Sequence, residues 1–233
     1  MRPKPVLTVV AALAMLFTSI HANAQFGIRA GGNLYNVIAK NSYGNNAYDD
    51  PKLNKGFHVG VTYDLPLGEN FSLQPAAVFS TKGYRILREE ETYSIQSNMR
   101  PYYIEVPVNF LFTPELGNGR LILGAGPYVA YGIGGKGKYH GKILVEGVVI
   151  SDVQNANLQF VNDFTEVQAG KWTYARPLDL GFQVVEGYRF NNNLYFQLMG
   201  QLGLANIRPK SSGAAPDGRL KNIGMALSVG YIF

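Results

Sequence analysis

Between Ile223 and Phe233 the chain alternates large apolar residues with small ones. Ile223, Met225, Leu227, Val229, Tyr231 and Phe233 fall on one parity, and Gly224, Ala226, Ser228 and Gly230 on the other. A strand turns successive side chains to opposite faces, so this segment offers one bulky apolar face and one nearly bare face. A sheet in water would set charged or amide side chains against its apolar face. A small-residue face instead suits a strand whose bulky side meets lipid and whose other side looks into a narrow barrel lumen. Tyr231 and Phe233, close to the end of the sequence given, are expected to act as an assembly signal for such barrels.

The N-terminal segment is consistent with export. Arg2 and Lys4 precede an apolar stretch from Val6 to Ile20, and Ala22-Asn23-Ala24 precedes Gln25. This pattern predicts a signal peptide over residues 1–24, cleaved after Ala24, with residues 25–233 as one barrel domain. There is no Cys, so neither a lipid-anchored Cys nor a disulfide contributes, and stability must come from the fold.

No apolar run after the leader approaches the length of a membrane helix. If the chain spans a membrane, closed β structure is what remains to satisfy its backbone. The 27 Gly and 15 Tyr suit a small barrel, with Gly inside and aromatics at the interfaces. The formal charge of +5, two units of it in the leader, is spread over loops and is no nucleic-acid signature.

Eight segments alternate with the length of a tilted membrane strand: Phe26–Tyr35, Gly56–Leu65, Phe71–Thr81, Tyr102–Phe112, Leu121–Ile133, Leu178–Phe190, Leu194–Ile207 and the C-terminal segment. Pro75, Pro107 and Pro127 lie inside them and are expected at bulges or ladder ends. The connections alternate too. Pro66–Asn70, Thr113–Arg120 and Asn191–Asn193 are short, whereas Ile38–Lys55, Lys82–Pro101, Gly134–Pro177 and Arg208–Lys221 are long and polar. Short periplasmic turns and long outer loops are the pattern of outer-membrane barrels. The fold expected is an all-β, closed, antiparallel up-and-down transmembrane barrel of eight strands. The longest loop, with Ile143–Ile150 inside it, either extends a hairpin above the membrane or adds two strands to make ten; its poor alternation favours the extension.

Arg29, Glu105, Asp179 and Lys221 fall on inward faces in this reading, with Asn109, Gln183, Gln197 and Gln201. An eight-stranded barrel is just wide enough for side chains to fill, and charges there should pair. An Arg29–Glu105–Asp179 network plugging the lumen is therefore expected, against a water-filled lumen. His58 is placed inward, but Asp64 is roughly 20 Å along the strand and too far to couple. No catalytic, cofactor or metal site is assigned. Asn45, Asn46, Asp49 and Asp50 lack the spacing of a calcium loop. Gly132–Lys138 lacks the ending of a phosphate-binding loop and reads as a flexible rim. Lys136, Lys138 and Lys142, with Arg85, Arg88, Arg208 and Lys210, could meet lipopolysaccharide phosphates, or form a scattered solvated rim.

Four pieces give the chain a family likeness: Gln25-Phe26-Gly27-Ile28-Arg29-Ala30-Gly31-Gly32-Asn33, Tyr103-Ile104-Glu105-Val106-Pro107, Gly124-Ala125-Gly126-Pro127-Tyr128 and Gly230-Tyr231-Ile232-Phe233. Together they resemble the PorT-type outer-membrane β-barrel proteins of Gram-negative bacteria. The resemblance implies a small outer-membrane barrel. A few relatives take part in protein secretion, a role no residue here carries over.

The function expected is a non-enzymatic envelope or surface-interaction role. The expected partners are outer-membrane lipids, lipopolysaccharide and the barrel assembly machinery; nucleic acid is not among them, no cofactor is expected, and the barrel is taken as a monomer. A narrow channel for small solutes and a lipid- or peptide-modifying enzyme using His58 stand as alternatives. A soluble lipocalin-like barrel would leave the small inward glycines unexplained.

Overall fold

The computed structural model describes residues 25–47, 51–90, 92–145 and 148–233. The leader, and with it the expected cleavage after Ala24, lies outside the described residues, as do Asp49 and Asp50. The strands are β1 (Gln25–Lys40), β2 (Lys52–Pro66), β3 (Phe71–Thr81), β4 (Tyr84–Glu89), β5 (Tyr93–Phe112), β6 (Gly119–Val145), β7 (Val148–Phe160), β8 (Lys171–Ala175), β9 (Leu178–Phe190), β10 (Leu194–Gly203) and β11 (Arg219–Ile232). One turn of 3-10 helix spans Phe164–Glu166.

Eight of these strands close a ring in the order β1–β2–β3–β5–β6–β9–β10–β11, and β11 pairs back onto β1 from Gly27↔Ile232 to Lys40↔Arg219. Every ring pairing is antiparallel. The faces follow the parity read from the sequence: Leu227 is 58% exposed and its neighbour Ser228 2%. Aromatic contacts cluster at the end with the short turns. Phe26 meets Phe233 at 6.5 Å, Phe71 meets Phe112 at 5.1 Å, and Phe190 meets Phe196 at 6.1 Å. Phe57, Phe79 and Tyr102 form a second cluster nearer the other end. Two aromatic levels bounding an apolar band are what a bilayer asks of a barrel wall.

Lys221 shares the parity of Ile223 and faces outward, because Asn222 takes the inward position. The three prolines sit where ladder segments end, one of the two places expected for them, and not at bulges. Pairing breaks between Thr62↔Ala76 and Leu65↔Leu73 near Pro75, and between Pro107↔Tyr128 and Phe110↔Ala125 near the other two; the register is the same on both sides of each lapse. A local gap spares the ladder a donor that Pro lacks. A bulge lies at Ile133, where Tyr102 pairs with Gly134 but Tyr103 with Gly132. Accordingly Gly132–Lys138 is no loose rim loop but a stretch of β6 paired with β5.

Two of the long connections, Lys82–Pro101 and Gly134–Pro177, are largely strand. Beyond the membrane band, β6 continues to Val145 and hairpins into β7, β8 adds in parallel to β7, and β4 pairs with upper β5. The longest loop is thus the expected extension, and the ring stays at eight strands. From this extension Leu158, Phe160, Trp172 and Tyr174 fold inward onto Tyr84, Tyr103, Tyr128, Ile207 and Leu220, making an apolar cap over the lumen mouth. Asp163 ties the cap to the β10–β11 connection. Its carboxylate accepts the backbone N–H groups of Thr165 (3.0 Å), Ser212 (3.0 Å) and Gly213 (2.6 Å).

A Cβ on Gly31 would overlap the Leu227 carbonyl across the closing seam, whereas one on Gly32, which faces outward, meets nothing within 4 Å. Gly31→Val should therefore cost about 1–3 kcal/mol and lower the temperature at which the folded gel band converts, while Gly32→Val should leave it unchanged. The Asp163 carboxyl is held below the usual carboxylate range by the backbone N–H groups of Thr165, Gly213 and Ser212. The clasp is then intact above the ordinary Asp value and lost as pH falls through the lower folded value. An NMR titration of the Ser212 and Gly213 amides should show a midpoint below about 3.9. A midpoint at or above that value contradicts the clasp.

Candidate functional site: a charge-filled lumen

The inward faces converge on Lys82, which directly follows β3. Even-numbered residues of β3 point inward, and Lys82 continues that parity. Gly83 then turns the chain at φ +111°, where a Cβ would overlap the Met99 carbonyl, so only glycine fits. That turn lets β4 leave the barrel while Lys82 stays in it.

Lys82 is fully buried. Its Nζ lies 3.3 Å from Glu105 Oε1 and 3.5 Å from Asp179 Oδ2. These are ion-pair separations without hydrogen-bond alignment. The ammonium also stands 4.5 Å from the ring centre of Tyr128, 5.1 Å from Tyr103 and 5.3 Å from Tyr35. Three aromatic faces and two carboxylates around one cation replace the water it has lost.

The carboxylates have further partners. Glu105 Oε2 accepts from Gln201 Nε2 at 2.9 Å, and Gln201 Oε1 accepts from the Tyr35 hydroxyl at 2.6 Å. Asp179 Oδ2 accepts from Asn222 Nδ2 at 2.9 Å and from the Tyr128 hydroxyl at 3.2 Å. Gln183 gives its amide to Asn109 at 2.8 Å. Arg29 is also buried and donates to Gln197 Oε1 at 3.0 Å.

Of the trio expected from sequence, Glu105 and Asp179 are brought together, and Arg29 lies on an adjoining branch bonded to Gln197. The cation that joins the two acids is Lys82, which the sequence reading left in a loop. With Arg29 it balances the two carboxylates. Tyr231 and Phe233 lie at the seam, in ring contact at 5.2 Å, and the Phe233 N–H donates to the Phe26 carbonyl.

A second chain of bonds joins β11, β2 and β1. His58 Nε2 is 2.7 Å from Ser228 Oγ, and Nδ1 is 2.6 Å from Asn33 Oδ1. The Asn33 amide nitrogen donates to Ser80 Oγ and to the Phe57 and Thr81 carbonyls, so its oxygen faces His58. This assigns Nδ1–H as donor to Asn33 and leaves Nε2 to accept from Ser228. The order hydroxyl, imidazole, amide is that of a hydrolytic relay. Yet Ser228, His58 and Asn33 are 2%, 4% and 3% exposed inside the packed lumen. As it stands the arrangement is a structural tie between three strands.

A family model described as an outer membrane protein beta-barrel domain matches residues 17–208, most of the chain. The chain belongs to that family. It is an outer-membrane β-barrel protein, similar in fold to Ail, the attachment invasion locus protein of Yersinia pestis. The two are 13% identical, over 91% of this chain and 99% of that one, with a TM-score of 0.37. Neisserial surface protein A is 11% identical over the same shares, also with a TM-score of 0.37. No curated protein matches it.

In this outer-membrane barrel Lys82→Met would leave Glu105 and Asp179 buried without the cation that stands between them. Unfolding in urea, followed by gel mobility, should show a loss of about 3–5 kcal/mol. Adding Glu105→Gln and Asp179→Asn should recover most of it. Wild-type stability in Lys82→Met would mean that water already solvates the two acids and that Lys82 is not needed to hold them.

Proposed function

We propose that this barrel is a plugged, non-enzymatic outer-membrane protein that works through the sheet and loops on its outer side. One observation carries the reading: Lys82 is fully buried between Glu105 and Asp179, beneath an apolar cap built by the outer extension. A passage for solutes needs a hydrated path, and here side chains fill the path at two successive levels. The extension exceeds what spanning requires, since β5, β6 and β7 continue well beyond the aromatic band. That favours envelope or surface-interaction work by a monomer inserted by the barrel assembly machinery in contact with outer-leaflet lipids. The likeness to PorT-type barrels is part of the same proposal.

Planar-bilayer recording tests it. Wild-type protein should give no steady conductance. A reproducible ion-selective pore from wild-type barrel would overturn the plug and favour the narrow-channel reading.

The Ser228–His58–Asn33 relay favours a hydrolase as the second reading. A fluorophosphonate probe should leave folded protein unlabelled, because Ser228 is enclosed. Labelling that disappears in Ser228→Ala would establish an accessible nucleophile and replace the non-enzymatic reading.

A further inference from the structure

Just above the lipid-facing band, the outer face of the sheet carries a cluster of cations. On β5 the outward series Val106, Ile104 and Tyr102 continues upward as Arg100 and Asn98. On β6 the series Val129 and Tyr131 continues, past the bulge at Ile133, as Lys136 and Lys138. Arg100 pairs with Lys136, Lys136 with Asn157 of β7, and Asn157 with Lys171 of β8. The next row up is Asn98, Lys138 and Asn155. Neither row contains a carboxylate. The same strands enclose a groove of ≈ 570 Å³ bounded below by Tyr102.

Like charges set directly across an antiparallel pair destabilise it, so Arg100 opposite Lys136 calls for an anion. Arg forks onto phosphate oxygens, Lys supplies point charge, and the Asn amides add donors. A soluble anion would need only these groups. What lies beneath them is an apolar stripe on the same face of the same strands, with Tyr102 about 7 Å below Arg100 by strand rise. Charge above and hydrocarbon below describe an amphiphile.

We propose that this groove docks the phosphorylated headgroup of an outer-leaflet glycolipid, whose acyl chains lie against Tyr102, Ile104, Val129 and Tyr131. The inference rests on the long-loop end being the outer one and is independent of whether the lumen conducts. It singles out Arg100, Lys136 and Lys138 from the scattered rim cations.

The test is a titration of the purified barrel in a non-ionic maltoside micelle with diphosphorylated lipid A, read by native mass spectrometry. The barrel should bind lipid A at a saturable site, and Arg100→Ala/Lys136→Ala/Lys138→Ala should bind at least ~10-fold more weakly, equivalent to about 1.4 kcal/mol. Heat-modifiable mobility of both proteins reports that each is folded. Lys136→Gln/Lys138→Gln keeps polar side chains on the strand and should shift affinity the same way, should the triple variant fail to fold. Unchanged lipid A affinity in either folded variant overturns the proposal. So does full displacement of lipid A by millimolar inorganic phosphate, which would make this a site for free anions. Since conductance is read separately, a failed plug and a failed lipid site give different results.

Discussion

Inside a bilayer no water is present to take an unpaired backbone N–H or C=O, and everything else in this molecule follows from meeting that constraint. The meeting of β1 with β11 meets it by removing both edges at once. Closure demands that backbones come close at the seam, which explains the glycine facing the Leu227 carbonyl. It also fixes strand parity around the whole ring. Bulky side chains go to lipid, and whatever is left over must fill a narrow interior.

What fills it is polar and charged, and the energetic problem moves from backbone to side chain. Acids and cations in a dry space would be very costly if unpaired. The barrel answers with complementary placement. Lys82 stands between Glu105 and Asp179 under three tyrosine rings, and the Gln201 and Asn222 amides donate to Glu105 Oε2 and Asp179 Oδ2. Such a network can hold the strands in one register, because a slip by one residue would send every partner to the lipid side. Above it the Phe160–Tyr103 and Phe160–Tyr174 contacts seal the mouth with hydrocarbon. Closure at the top thus depends on the extension, which joins the two halves of the molecule energetically.

Most of the wall was legible in the sequence because lipid imposes one rule on every spanning residue, and alternation reports it directly. The inward assignment of Arg29, Glu105 and Asp179 came from that rule. Lys82 escaped because the strand was ended at Thr81, where polar residues begin; carrying the parity one residue further would have placed it inside. The opposite slip occurred at Lys221, read as inward although it shares the parity of Ile223. Beyond the bilayer the rule lapses. Much of β7 is exposed on both faces, so Val148, Val149 and Ile150 show no alternation although they are strand. The partners of His58 lie on β1 and β11, 25 and 170 residues away, and only the closed ring could reveal them.

Lys82 holds the lumen shut as a buried, caged ammonium. Its side-chain NMR signals in detergent micelles test this most directly. Ring currents from Tyr128, Tyr103 and Tyr35 should move the Lys82 ε-methylene resonance well upfield of the other lysines, and its ammonium protons should exchange slowly with water. An ε-methylene at the position of a solvated lysine, with ammonium protons lost to fast exchange, would mean that the side chain lies in water and the lumen is open.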